Sequence, residues 1–206
     1  MEGMKGKDIV GCFNTVNQLW REIELMVERL TILLRKEIKE NGMRCEEGTG
    51  DGLEYAVFNE DYSDVCIGCI RNIAVKTPRK RTPDLHFGFQ VSLADNLIDI
   101  PGNDEPLIFM FAVTEPMGFD AWHMAFPMSD DYDTDFKVEN NVLLRWSDGS
   151  VAFGIRLLAL NNEKDLLEHC VNPLMRLQKG DKAEVIFGNN PGDRIVKFPD
   201  HDALIS

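Results

Sequence analysis

The feature that most constrains the fold is an apolar pattern near the amino terminus that steps by four and three residues. It runs through Ile9, Phe13, Val16, Trp20, Ile23, Val27, Leu30, Leu34 and Ile38. Residues at this spacing share one side of a helix, so we predict a single long helix over about residues 8–41. Asp8 is a suitable cap for its start, and Asn41-Gly42 is a typical stop signal.

The length of this helix leaves two interpretations open. Thirty-four residues rise roughly 50 Å, which is more than a chain of 206 residues usually needs to cover one sheet. In the first interpretation the stripe packs on its own domain. In the second, the seam Phe13–Leu34 pairs with another copy and forms a homodimer or a larger scaffold. Replacing Trp20 and Val27 by Glu separates the two, because the first predicts an unfolded chain and the second predicts soluble monomers.

From residue 53 the pattern changes to short runs rich in β-branched and aromatic residues, bounded by Gly, Pro, Asn and Asp. Such runs are typical of β-strands. The predicted strands are Leu53–Phe58, Val65–Val75, Leu85–Leu93, Leu107–Thr114, Trp122–Met128, Val142–Trp146 and Val151–Leu160. Asp148-Gly149 between the last two predicts a tight hairpin turn, since both residues accept a positive φ.

The last part of the chain predicts a second helix over about residues 163–178, kinked by Pro173. Two short strands follow, Ala183–Phe187 and Ile195–Phe198. We therefore predict one α+β domain over residues 1–206. Its antiparallel or mixed β-sheet, the β-rich body of about residues 53–160, is covered by the long amino-terminal helix and the shorter carboxy-terminal helix.

Charge is concentrated in one segment of the chain. The net charge is −13, and residues 82–136 contribute −11 of it because they contain eleven Asp or Glu residues and no Lys or Arg. A field of this strength steers a basic partner and disfavours nucleic acid, which needs clustered cations. One basic run does exist at residues 76–81, which contains Pro78 and is closely followed by Pro83. We interpret it as a solvated loop, with a nucleic-acid patch or a clamp for an anionic ligand as the alternatives.

Composition indicates a soluble protein of the cytoplasm. The five cysteines are an odd set of the kind that persists in a reducing compartment. No apolar run reaches the roughly 18 residues of a membrane span. Cys66 and Cys69 have the spacing of a redox or half-zinc motif, but they lie within a strand-like run. We interpret them as buried structural cysteines.

An acidic loop offers the most suggestive side chains for function. Its carboxylates Asp130, Asp131, Asp133 and Asp135 follow an apolar segment that contains Trp122. Phe136 and Val142 occupy positions where a calcium-binding EF-hand loop needs Gly and Glu. An aromatic anchor beside a charged rim is typical of a protein-binding surface.

Our leading interpretation is a non-enzymatic protein-binding domain whose acidic face engages a basic protein, as an immunity protein, antitoxin-like inhibitor, nucleic-acid mimic or chaperone does. It requires no cofactor and no bound metal. The alternatives are a divalent-metal-dependent hydrolase that uses the acidic loop with His123, and an oligomeric scaffold assembled through the amino-terminal helix.

Overall fold

The structure, a computed structural model, describes residues 6–46, 53–58, 65–82, 84–93, 105–117 and 136–198. Within these ranges, the side chains of residues 6–9, 13, 54–58 and 65–67 are left out of the description. The fold class is α+β, as the sequence predicts. The sheet is antiparallel throughout its described pairings, with a long amino-terminal helix and a shorter carboxy-terminal helix.

The long helix, α1, spans Gly6–Glu40 and ends in the predicted way. Gly42 takes a positive φ of 76°, which a residue without a Cβ adopts at little cost. The amide of Met43 donates to the carbonyl of Ile38 at 3.2 Å, and the amide of Gly42 donates to Lys39 at 3.0 Å. These two bonds form a Schellman motif, and the apolar contact that accompanies it places Met43 and Ile38 in the same core.

Eight strands form one sheet. They are β1 (Arg44–Cys45), β2 (Leu53–Phe58), β3 (Val65–Lys76), β4 (Leu85–Ser92), β5 (Leu107–Val113), β6 (Phe136–Glu139), β7 (Leu143–Trp146) and β8 (Val151–Arg156). The order across the sheet is β1-β3-β4-β5-β8-β7-β6, and β2 pairs with the same edge of β3 as β1 does. Strands β6, β7 and β8 are joined by short hairpins, and β8 lies beside β5. The strands β5 to β8 therefore form a Greek-key arrangement.

One face of the sheet carries both helical layers. Alternate residues of β4, β5 and β8, such as Phe89, Met110 and Phe153, point to this face and are fully buried. From α1, Leu30 and Leu34 pack into the same cluster and are also fully buried, and Leu174 joins them from the carboxy-terminal helix. The predicted arrangement, with helices on one side of an antiparallel sheet, is confirmed.

The opposite face has its own apolar cluster and a row of buried polar side chains. Phe109 and Phe111 of β5 form the centre of the cluster. Beside them, His86 and Gln90 of β4 are buried, and so is Asn72 of β3. The Asn72 amide is satisfied by the backbone of Met117, with its Nδ2 donating to the carbonyl at 2.7 Å and its Oδ1 accepting from the amide at 3.1 Å.

The carboxy-terminal helix is built from three consecutive segments: α2 (Glu163–Asp165), a π-helical turn (Leu166–Val171) and α3 (Asn172–Gln178). Asn162 caps its start by accepting from the amide of Asp165 at 3.1 Å. Pro173 was expected to disturb the helix, and the disturbance is the π-helical turn directly before it. The amide of Asn172 donates five residues back, to Leu167. Pro173 has no amide of its own to continue the α-helical ladder.

Three predicted strand boundaries or elements are wrong. Residues 183–187 form a short helix, α4 (Ala183–Phe187), not a strand. Val151–Leu160 is a strand only to Arg156, after which Leu157–Ala159 make a 3-10 turn. Residues 195–198 do not form a strand, because Ile195 makes a single bridge to Ile155. The predicted strand Trp122–Met128 lies outside the described residues.

Two strands and one turn type escaped prediction. The two strands are β1 and β6, which have only two and four residues. The turn between β6 and β7 has positive φ at both Asn140 and Asn141, as a type I′ turn requires. At the predicted Asp-Gly turn only Gly149 has positive φ, and the register gives a three-residue loop. That geometry is a type I turn followed by a bulge at Gly149.

Candidate functional site

The predicted partner-binding residues lie outside the described residues. This holds for Trp122, Asp130, Asp131, Asp133 and Asp135, and equally for His123 of the metal-dependent alternative. The acidic protein-binding face and the acidic metal site therefore stay predictions. Within the described ranges, no group of three or more His, Cys, Asp or Glu side chains is placed to hold a metal ion.

The amino-terminal part of α1 is the most exposed regular element that the structure describes. We call residues 6–19 the arm. Every described side chain from Val10 to Leu19 is exposed, including Val16 at 53% and Leu19 at 50%. Burial begins at Trp20, which is half-buried, and Ile23 is 4% exposed. The arm is about 20 Å of helix whose described side chains are not covered by the domain.

The predicted seam is therefore divided between two environments. Its carboxy-terminal part, from Ile23 onward, is core of this domain, as the first interpretation held. Val27 is 4% exposed, so we expect its replacement by Glu to destabilise the fold whatever the oligomeric state. The described residues of the arm continue the same stripe outside the core, and for them the second interpretation stays open.

An apolar groove begins where the arm ends. It lies between α1 and the segment from Leu157 to Leu166, with a volume of about 480 Å³. Leu19 contributes to it from the arm. Leu25 and Leu158 line its mouth and are 66% and 73% exposed. An ion pair between Arg29 and Glu163 fastens α1 to the start of α2 beside the groove. Exposed leucines that line a concave surface are typical of an interaction site.

A second recess is basic. It has a volume of about 550 Å³ and lies between β1 and the loop that joins β3 to β4. Five of its nine lining residues are cations and one is an anion, Glu46. The cations are Arg44, Lys76, Arg79, Lys80 and Arg81. The predicted solvated loop at residues 76–81 is exposed from Pro78 onward, as is Thr82, whereas Lys76 and Thr77 are half-buried.

Arg44 is the member of this recess that could not be found from the sequence. It lies 32 positions before Lys76, and the two face each other because β1 pairs antiparallel with the end of β3. Strand β1 is only two residues long, which is too short to leave a pattern in the sequence. The Schellman turn at Gly42 sets its position by reversing the chain directly after α1.

A third cavity, of about 390 Å³, lies between α1 and β3. Its charged lining consists of Arg35 and Arg71 with Glu24 and Glu28, so positive and negative charges balance. Cys69 forms part of the same lining and is buried, as the interpretation of a structural cysteine requires. The side chain of Cys66 is outside the description, although β3 does include both positions.

Two histidines are held in the neutral form by their surroundings. Burial lowers the pKa of His86, against a smaller opposing effect of Glu115. Burial also lowers the pKa of His169, and the nearby Arg194 guanidinium adds to this. His169 contacts Arg194 directly. The two imidazoles lie on different elements, β4 and the π-helical turn, so they do not form a common site.

None of the helices in the described ranges has both the length and the apolar character that crossing a membrane requires. Comparison with known proteins adds no assignment: no family model, curated protein or solved structure matches this chain. The exposed arm with its adjoining groove and the basic recess are consequently the two described surfaces from which function can be argued.

Proposed function

We propose that this protein is a protein-binding domain that acts as a homodimer, assembled through the arm and its adjoining groove, and that its acidic segment engages a basic protein. The observation that carries the dimer is the exposure of an apolar and uncharged stretch of helix. Between Asp8 and Arg21 no residue is charged, although charged residues make up 28% of the chain.

The arm gains little stability from its own sequence. Gly11 costs up to about 1 kcal/mol in a helix relative to Ala. Asn14, Thr15 and Asn17 are also weaker helix formers than Ala. The docked part of α1 nucleates the helix, and packing on another surface supplies the further stability that these weak helix formers lack. Its exposed Val16 and Leu19 supply the apolar surface for such packing.

A second copy of the same chain is the occupant that the charge distribution favours. Two molecules of net charge −13 repel each other, and the repulsion at contact is smallest where neither surface carries charge. The arm provides such a surface, and the groove beside it is lined largely by leucines. In a two-fold dimer, the arm of each protomer lies against the arm and groove of the other.

The surface proposed for the interface has two parts on each protomer. They are one side of the helix over residues 10–19 and the twelve residues that line the groove. The apolar centre is formed by the arm and the exposed leucines, and Glu22 and Glu163 lie at the rim. This arrangement matches the usual anatomy of an apolar centre with a polar border.

The acidic segment supplies the second half of the proposal. Its charge of −11 over residues 82–136 attracts a basic surface and raises the rate of association. Dimerisation doubles this charge within one particle. Asp130, Asp131, Asp133 and Asp135 are the proposed contacts, with Trp122 as the aromatic anchor.

The dimer is tested by sedimentation velocity over a range of protein concentrations. We expect a wild-type mass near twice 23.4 kDa, and monomers for the double variant Val16→Glu, Leu19→Glu. Both side chains are exposed, so the fold survives and the far-ultraviolet circular dichroism is unchanged. The matched control is Asn14→Glu, which adds charge to the same helix about 160° away from Val16. A wild-type protein that is monomeric at all concentrations contradicts the proposal, and so does a double variant that stays dimeric.

The acidic segment is tested separately with Asp131→Lys, Asp133→Lys as bait in an affinity capture from cell lysate. We expect the wild-type protein to retain a basic protein that elutes at about 0.3 M salt, where surface charge pairs are largely screened. The variant should lose that protein. Equal retention by both baits contradicts the role of the acidic segment and leaves the dimer unaffected.

A further inference from the structure

The basic recess is built on a loop with a fixed conformation. The amide and hydroxyl of Thr77 donate to the carboxylate of Asp84, at 2.9 Å and 2.6 Å. The amide of Lys80 donates to the carbonyl of Thr77 at 3.2 Å, and Arg79 has a positive φ of 77°. With Pro78 before it, this is the geometry of a type II turn. The loop thereby presents three consecutive cations from a defined backbone.

The carboxylate that holds the loop stays ionised at neutral pH. Burial acts to raise the pKa of Asp84, but the hydrogen bonds from Thr77 and the charge of Lys80 outweigh it and leave that pKa below its ordinary value of 3.8. The Asp84 carboxylate is therefore engaged in hydrogen bonds that hold the loop itself. Arg79 occupies a backbone conformation that costs a non-glycine residue roughly 1–2 kcal/mol. Such positions are more common at binding sites than elsewhere.

The cations of the recess converge from two separate parts of the chain. Arg44 comes from β1, and the other four come from residues 76–81. Lys76 forms an ion pair with Glu46 at 2.8 Å. Within the described residues, no carboxylate forms an ion pair with Arg44, Arg79, Lys80 or Arg81. The Asp84 carboxylate offsets part of the mutual repulsion of these cations through Lys80, and a bound anion reduces that repulsion further.

We propose that this recess binds a small ligand that carries two or more phosphate groups. Its volume of about 550 Å³ is within the usual range for small-molecule sites. Its lining is dominated by guanidinium and ammonium groups, which bind phosphate by charge-assisted hydrogen bonds. A long nucleic acid fits less well, because the patch is confined to one recess on a protein of net charge −13. The same phosphate chemistry is available from a soluble compound or from the headgroup of a lipid.

The test uses isothermal titration calorimetry with sodium tripolyphosphate at low salt. We expect saturable binding with one site per chain, weakened at least about tenfold by Arg44→Gln, since one charge-assisted hydrogen bond is lost. Arg44 is the informative position because it is remote from the loop in sequence and contributes only if the recess forms. A thermal melt of each variant confirms that the fold is retained.

A matched pair of lysine variants distinguishes a specific phosphate site from nonspecific electrostatic attraction of the anion to the protein surface. Lys80→Gln should weaken binding, whereas Lys179→Gln, at an exposed position outside the recess, should leave it unchanged. Equal effects of the two variants overturn the proposal, as does the absence of any binding of tripolyphosphate at millimolar concentration. Binding of single-stranded oligonucleotides that tightens steadily with their length also overturns it, in favour of a nucleic-acid surface.

The two sources of the ligand are distinguished by vesicle co-sedimentation. The vesicles are phosphatidylcholine with or without phosphatidylinositol bisphosphate. Association that requires the phosphorylated lipid and is lost in Arg44→Gln assigns a lipid headgroup. Tripolyphosphate binding without vesicle association assigns a soluble ligand. Either result supports a site for multiple phosphates, and neither depends on the dimer.

Discussion

Gly88 is the position at which the structure makes its sharpest prediction about stability. It lies in β4 and pairs with Asn72 of β3 on one side and Phe111 of β5 on the other. A Cβ at this position would lie 2.1 Å from the backbone carbonyl oxygen of Arg71 and 2.4 Å from the ring of Phe111. Contacts below 3.0 Å are not tolerated, so both the strand backbone and the ring have to move. The substitution Gly88→Ala therefore overpacks the second face of the sheet.

The expected cost follows from the behaviour of overpacked cores. Forcing one extra methyl group into a well-packed interior typically costs about 1–3 kcal/mol, and backbone contact puts Gly88→Ala at the upper end. For a chain of this size each kcal/mol shifts the melting temperature by roughly 2–4 °C. We expect a decrease of about 4–12 °C, or a lower urea midpoint with an unchanged slope.

The control is Gly192→Ala, in a turn where an added Cβ meets nothing within 4 Å and φ is not in the left-handed region. We expect its unfolding free energy to stay within about 0.5 kcal/mol of the wild type. A Gly88→Ala variant as stable as the wild type would refute the packing of Phe111 over β4. The same result would refute the assignment of β4 and β5 as neighbours in the stated register.

Three further outcomes are expected. Leu30→Ala removes a fully buried α1 side chain and should cost about 2.7–5.0 kcal/mol in urea unfolding; a cost below 1 kcal/mol would contradict the docking of this part of α1. His86 has a folded pKa below its ordinary value of 6.5, so the unfolded state takes up the proton first and stability is lost as pH falls below about 6.5. His86→Gln should reduce this loss, as urea midpoints between about pH 5 and 7.5 will show; an unchanged pH dependence would contradict it. Burial acts to raise the pKa of Asp148, but hydrogen bonds from Thr114 and Ser150 outweigh it and lower that pKa. The stability that the ionised carboxylate contributes is therefore lost only as pH falls below about 4. Asp148→Asn should cost about 1 kcal/mol of unfolding free energy at pH 7 and less at pH 3, as urea unfolding at both pH values will show. Equal costs at the two pH values would contradict the role of Asp148 as an ionised acceptor.

The fold could be predicted from the sequence wherever a hydrophobic pattern was long enough to distinguish a helix from a strand. The seam of α1 repeats over more than four heptads, and its Asn41-Gly42 stop coincides with the observed Schellman turn. The strands β3, β4 and β5 were predicted to within one residue at each end, because they are apolar, rich in β-branched and aromatic residues and bounded by turn-forming residues.

The errors fall on short segments. Ala183–Phe187 is a run of five residues, four of them apolar, and at this length helix and strand cannot be distinguished by period. Its helix is chosen by tertiary packing, in which Ala183 is buried and the ring of Phe187 lies 5.2 Å from that of Phe153. The bulged turn at Gly149 depends on strand register, which is also a property of the assembled sheet.

The candidate sites were predictable only in part. The basic run at residues 76–81 is visible in the sequence, but its convergence with Arg44 depends on the two-residue strand β1. The sequence likewise shows an apolar stripe along the whole of α1. It does not show that the stripe leaves the core between Ile23 and Leu19, because that boundary depends on which residues of α1 the assembled domain covers.

The most direct test of the account is amide hydrogen exchange of the arm at two protein concentrations. If the arm is covered by a second copy, the amides of residues 10–19 should be protected at high concentration and exchange rapidly at low concentration. In the Val16→Glu, Leu19→Glu variant they should exchange rapidly at both, while the amides around Leu30 stay protected throughout. Rapid exchange of the arm at every concentration in the wild-type protein would contradict the proposal that the arm is where two copies of the chain associate.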